Sequence, residues 1–348
     1  MNQQPSSRPV GMLVATLVGA VFASGLVAAW RIDWWGEQGN GLSPRFGYSL
    51  EAYRRVDPAL VGYDEVDRVP VALREARTMA VGPEDRLYVA GDLCILCLSP
   101  SGNKLATIAL EEEPQCVAVG GAGHAFPGRM YVGLKDRVEV YGPEGKRVAH
   151  WESQGPKALF TSIALAEHDV YVANARGRVV LRYDLQGKLL GQIDGRDPDK
   201  DLRGFIIPSP YFDLAMAPDG LLRVVNPGMH RIEAYTAEGH LEQKWGKATV
   251  GIEGFCGCCN PAHIALLDDG SVVTAEKGLP RVKVYSSEGQ FVCVVAGPEM
   301  LCPTATITEE TRTEHKMKVH DVAVDSQGRI LVLDPSTQSV RVFQKKRQ

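Results

Sequence analysis

Hydrophobic and polar positions in this chain alternate in short runs, and the runs come in repeating sets. An apolar-Ala step, a tight turn and a second apolar run appear as MAVGPEDRLYVA (79–90), VAVGGAGHAFPGRMYV (117–132) and IALAEHDVYVA (163–173). They recur as LAMAPDGLLRVV (214–225), IALLDDGSVVTA (264–275) and VAVDSQGRILVL (322–333). A third run follows each. In five units it closes on a glycine turn, as ILCLSPSG, VEVYGPEG, VVLRYDLQG, IEAYTAEG and VKVYSSEG; in the sixth it is VRVF (340–343). The runs are rich in β-branched and aromatic residues and are broken by Asp-Gly and Glu-Gly, so each is predicted to be an antiparallel strand. A fourth strand follows the glycine turn, for example KRVAHW (146–151) and HLEQKW (240–245). Four strands per unit, repeated about every 40–50 residues, predict an all-β fold, a six-bladed β-propeller of four-stranded antiparallel blades.

The repeated step and turn glycine resemble the NHL-repeat family and its TolB-like relatives among six-bladed propellers, over residues 66–345 or so. The sixth unit lacks an outer strand, and DRVPVAL (67–73) stands before unit one with no blade of its own. It is expected to pair with blade six and close the ring. Pro70 suits that place, because proline is tolerated on an edge strand and not inside a sheet. The propeller is thus expected over residues 66–348, after a linker at 31–65.

One stretch departs from the alternating pattern. Residues 10–30, VGMLVATLVGAVFASGLVAAW, carry no charge and are long enough to span a hydrocarbon core as a helix. A polar tail, residues 1–9, precedes them, and Trp30, Trp34 and Trp35 stand where an interfacial aromatic belt would anchor the span. A cleaved signal peptide is the alternative, given the small residues at Val27–Ala29, but the apolar run is longer than a usual signal core and only Arg8 precedes it. The expectation is one N-terminal transmembrane helix, a single-pass membrane protein, with the propeller on the extracytoplasmic side. A net charge of −4 provides no basic field, which argues against nucleic acid as a partner. The chain has no phosphate-binding loop, no GxSxG elbow and no HExxH.

Candidate chemistry centres on the eight cysteines. Aligning the units puts Cys97 at a packing position shared with Val140, Ala234, Val284 and Val342, and Cys94 at one shared with Arg137, Arg231 and Arg281. The CxxC at 94–97 therefore straddles a strand start and is not a redox helix turn. Cys293 falls on an outer strand, and Cys116 begins an inner one. The segment GFCGCCNP (254–261) puts Cys256, Cys258 and Cys259 in the loop leading into blade five, and Cys302 lies in the loop leading into blade six. Such loops emerge on one face of a propeller, so these four thiols are expected to converge. Four thiolates match the coordination number of zinc and of an iron–sulfur cluster. Disulfides between the two loops, with no cofactor, are the alternative for an exported domain, and free thiols are the third reading.

A second constellation stands at the starts of the inner strands: Thr78, Cys116, Ser162, Asp213, His263 and Asp321, with His320 beside the last. The resemblance implies a use for these positions. Related propeller lactonases hold metal there with acidic and amide ligands, and amidating lyases with histidines. Asp213, His263, His320 and Asp321 are thus an alternative channel metal site, against which stands simple hydrogen bonding among polar groups and water.

Three functions follow from these readings. The first is a membrane-anchored, non-catalytic propeller that presents a face to a protein partner, carries the thiolate centre and serves a membrane electron-transfer assembly. The second is a metal-dependent hydrolase or lyase at the channel mouth. The third is a structural binding module with disulfides joining its loops. The first is preferred, because the resemblance implies an interaction platform.

Overall fold

The computed structural model describes residues 53–198, 202–303 and 319–347. The expected tail at 1–9, the membrane span at 10–30 and most of the expected linker lie outside the described residues. No helix among the described residues is long and apolar enough to cross a membrane.

Six four-stranded antiparallel sheets form a ring of blades. The inner strands are Ala76–Val81, Cys116–Val119, Phe160–Leu165, Leu214–Met216, His263–Leu266 and Asp321–Val324. From each inner strand the chain steps outward through neighbouring strands. In blade four these are Leu222–Asn226, Arg231–Tyr235 and Leu241–Trp245. A two-stranded hairpin, Arg196–Asp197 with Leu202–Arg203, lies between blades three and four.

The glycine that ends each third run is required where it stands. Gly187 and Gly289 have φ of 91° and 85°, a left-handed conformation that L side chains rarely adopt. Each also lies against a tryptophan of the preceding blade, Trp151 just past the end of its outer strand and Trp245 at the end of its own, where a Cβ would overlap the indole ring. These turns therefore reverse the chain and seat one blade against the last.

The core lies between the blades. Each of six clusters of buried side chains spans one blade-to-blade interface. Val89 and Leu333, both fully buried, share the cluster between blades one and six. Truncating either to alanine would cost about 1–4 kcal/mol in lost burial and cavity formation.

That last interface depends on a strand from the other end of the chain. Tyr63–Pro70 pairs antiparallel with Ser339–Lys345 as the outermost strand of blade six, from Tyr63 opposite Lys345 to Pro70 opposite Ser339. It starts four residues before the expected 67 and leaves the ladder at 70 instead of 73. A bulge between Glu65 and Asp67 interrupts the pattern at its start. Val66 is 54 % exposed there and breaks the alternation by which the strand was recognised. Val71 and Leu73 remain buried beyond its end, packed in the same cluster as Val69.

Candidate functional site

The ring encloses a central cavity of about 690 Å³ lined by all six inner strands. The alanines of the six repeats, Ala80, Ala118, Ala164, Ala215, Ala265 and Ala323, all lie on its wall. A small side chain at that step leaves the axis open, and this gives the sequence signature its physical meaning.

Where the inner strands begin, polar side chains reach from one blade to the next. Ser162 Oγ of blade three accepts from Leu214 N of blade four at 3.3 Å. Asp213 of blade four takes Leu214 N at 2.9 Å on one oxygen and Ile264 N of blade five at 2.7 Å on the other. Asp321 of blade six takes Val322 N at 2.8 Å, and Met79 N of blade one at 2.8 Å on its second oxygen. Every oxygen of both carboxylates thus accepts a backbone N–H, and in each case one of the two bonds crosses between blades.

His263 stands between these carboxylates, its Nδ1 3.4 Å from Asp213 and 3.6 Å from Asp321. Burial opposes its charge, but Asp321 and Asp213 outweigh burial and push the imidazole up to about 9. It is an imidazolium at neutral pH. Burial raises the Asp321 carboxyl, with His263 opposing and Asp213 adding to the rise. Burial likewise pushes the Cys116 thiol well up, aided by Asp213 and Asp321, so it remains a protonated packing group. Three of the four channel candidates are therefore brought together. His320 is not among them: it is buried with Nε2 3.7 Å from Asp334, and burial lowers its pKa despite that carboxylate.

The cysteine-bearing loop is held by a buried ionic cluster. Glu276 pairs with Arg281 at 2.7 Å and with Lys283 at 2.8 Å, and all three side chains are at most 1 % exposed. Lys283 Nζ donates to the carbonyls of Ile252 and Gly254, Arg281 donates to Val250 O, and Glu276 accepts Cys256 N. Asn260 completes the clamp by exchanging bonds with the Lys277 backbone and donating to Cys256 O at 2.6 Å. Charges buried this deeply persist because they are paired and hydrogen-bonded, and here their partners are the loop's own carbonyls.

The four thiols are distributed unevenly. Cys258 Sγ and Cys259 Sγ are 3.1 Å apart, Cys258 exposed and Cys259 buried. Ser209 Oγ donates to Cys259 Sγ at 3.1 Å and receives a bond from Lys277 Nζ at 3.0 Å. Burial works against the Cys259 thiolate, but Lys277, Ser209 and Cys258 together outweigh it and lower the thiol. The bond to Cys259, followed by burial, raises Cys258. Cys256 is buried and raised by burial. Cys302 caps the short helix Pro298–Leu301, with its N–H on Pro298 O and its carbonyl accepting from Arg54. All eight cysteines are free thiols, and among the described residues no three His, Cys, Asp or Glu side chains form a group that could hold a metal ion.

Sequence reading missed Ser209, Tyr211 and Lys277. Tyr211 meets His263 edge-on with ring centroids 5.8 Å apart, and Lys277 Nζ lies 4.7 Å from the Tyr211 ring centre. No local pattern marks these residues. Ser209 is 50 positions from the cysteine to which it donates.

Fold and site together define a six-bladed β-propeller with an alanine-walled cavity and a charged, hydrogen-bonded cluster at the starts of its inner strands. No family model matches the chain, and no curated protein matches it. Solved structures do resemble it. A streptogramin B lyase structure superposes with a TM-score of 0.56 at 10 % identity, covering 83 % of this chain and 100 % of the other. A structural genomics protein of unknown function from Bacteroides thetaiotaomicron gives 0.56 at 14 % identity, covering 83 % and 74 %. Virginiamycin B lyase from Staphylococcus aureus gives 0.53 at 11 % identity, covering 80 % and 99 %. At such identities the likeness establishes the fold alone.

Proposed function

We propose that this protein is a non-catalytic binding propeller, tethered to a membrane through residues 10–30, whose binding face centres on the axial cavity. The cavity carries this reading: about 690 Å³ lined by six repeat alanines is the size of a small-molecule site. The charged cluster favours binding over turnover. Asp213 and Asp321 spend both oxygens on backbone N–H groups that join neighbouring blades, and His263 is an ion-pair partner to both. An uncharged, largely apolar ligand fits such walls, since the polar groups at the strand starts already have their partners. Lyase activity is known here only of structural neighbours at 10–11 % identity, so it is not carried over.

The test uses the neutral dye Nile red with the full chain. Wild type should give a saturable rise in fluorescence. The double variant Ala215→Phe/Ala265→Phe, which fills the axis, should lose at least about tenfold in affinity with unchanged circular dichroism. Equal binding by a folded, filled variant would remove the cavity from the function.

A further inference from the structure

The Cys258–Cys259 pair plays no part in ligand binding along the axis, yet its surroundings are built with care. The sulfurs are 3.1 Å apart, close enough to bond after a small movement. The two thiols are inequivalent in access: Cys258 is exposed, whereas Cys259 is 1 % exposed. Donors converge on the buried sulfur, Ser209 Oγ at 3.1 Å and the Lys277 ammonium that also bonds Ser209. Gly257, with φ of 85°, supplies the turn that presents the pair, and His230 Nε2 fixes that turn through a 2.7 Å bond to Gly257 O.

This donor set discriminates between chemistries. A metal cation at Cys259 would meet a lysine ammonium and a hydroxyl proton already directed at the sulfur lone pairs. A negative sulfur is favoured by the same two groups. We propose that Cys258 and Cys259 are a redox-active dithiol that reduces low-molecular-weight disulfides, with Cys258 as the attacking thiol and Cys259 as the resolving one.

The pair reacts in its singly deprotonated form: Cys258 passes its proton to Cys259 across the 3.1 Å contact and bonds to one sulfur of RSSR. The S–S bond of RSSR breaks, and its electron pair leaves on RS⁻, which takes the proton from Cys259. Cys259 Sγ then bonds to Cys258 Sγ and expels the second RS⁻. The dithiol loses two electrons and RSSR gains them, yielding one RSH, one RS⁻ and a Cys258–Cys259 disulfide. A ring closed between adjacent residues is strained, so the oxidised pair is readily reduced again, as a turnover or sensing site needs.

Full-length protein is treated with oxidised glutathione, and the peptide containing residues 254–261 is mapped by mass under non-reducing conditions. In wild type it should end about 2 Da lighter with no glutathione attached. Cys259→Ser should accumulate a glutathione adduct on Cys258. Cys258→Ser should react at least about tenfold more slowly, because its remaining thiol is buried. Lys277→Met should slow wild-type closure about tenfold, and Lys277→Arg should restore most of it. Stable adducts as the end product in wild type, or full reactivity in Cys258→Ser, would overturn the assignment. If Cys259→Ser does not fold, the wild-type end product and the Lys277→Met rate decide the matter.

Discussion

His263 concentrates the electrostatics of the ring in one side chain. Its folded-state pKa, about 9, lies above the ordinary 6.5 because two carboxylates outweigh burial. A raised folded pKa contributes stability that is complete below about pH 6.5 and is lost as pH rises through about 9. Wild type should therefore lose on the order of 2 kcal/mol relative to His263→Gln across that window, measured by urea unfolding at stepped pH. Parallel curves would show that the imidazole is not held charged. Lys283 works in the opposite sense, since burial lowers it to about 8 against the pull of Glu276. Its contribution rises with pH above about 8 and cancels when wild type and variant are compared.

Among the elements, the closing strand carries the most consequence for its length. Tyr63–Pro70 supplies the last ladder of blade six and brings Glu65 onto the buried Arg341. Removing it exposes the hydrogen-bonding edge of Ser339–Lys345 and uncovers Val340 and Val342, both nearly fully buried. Such an edge is a template for pairing with another chain. Deletion through Pro70 should give aggregates or larger oligomers by light scattering, with a lower unfolding midpoint, whereas deletion through residue 52 should leave the ring folded. An unchanged monomer after the longer deletion would mean that blade six is stable with three strands.

At the scale of the whole molecule, the proposed tether between propeller and membrane is a segment outside the described residues. Residues 10–30 are uncharged and long enough to span a bilayer. The full chain should sediment with membranes and resist carbonate extraction, and deletion of residues 1–30 should move it to the soluble fraction with its blades intact. A soluble product shortened at its amino terminus, recovered on expression of the full chain, would identify the segment as a cleaved signal.

The blades were legible in the sequence because a strand is a local pattern: alternation, β-branched residues and a turn glycine all lie within a few positions of one another. The repeat alanines and the packing role of Cys97 could be read for the same reason, since aligned repeats occupy equivalent places. The bulge at Val66 hid the start of the closing strand by breaking the period on which recognition depends. The candidate sites depended on tertiary structure. The sequence identified Asp213, His263 and Asp321 as residues at strand starts, and the ring gathered them while leaving His320 apart. It likewise presented four cysteines as equals. Folding paired Cys258 with Cys259 beneath Ser209 and Lys277, and held Cys302 at the end of a short helix. Whether a thiol is a ligand, a nucleophile or packing is set by the charges and donors within a few ångströms of its sulfur, and residues far apart along the chain supply those here.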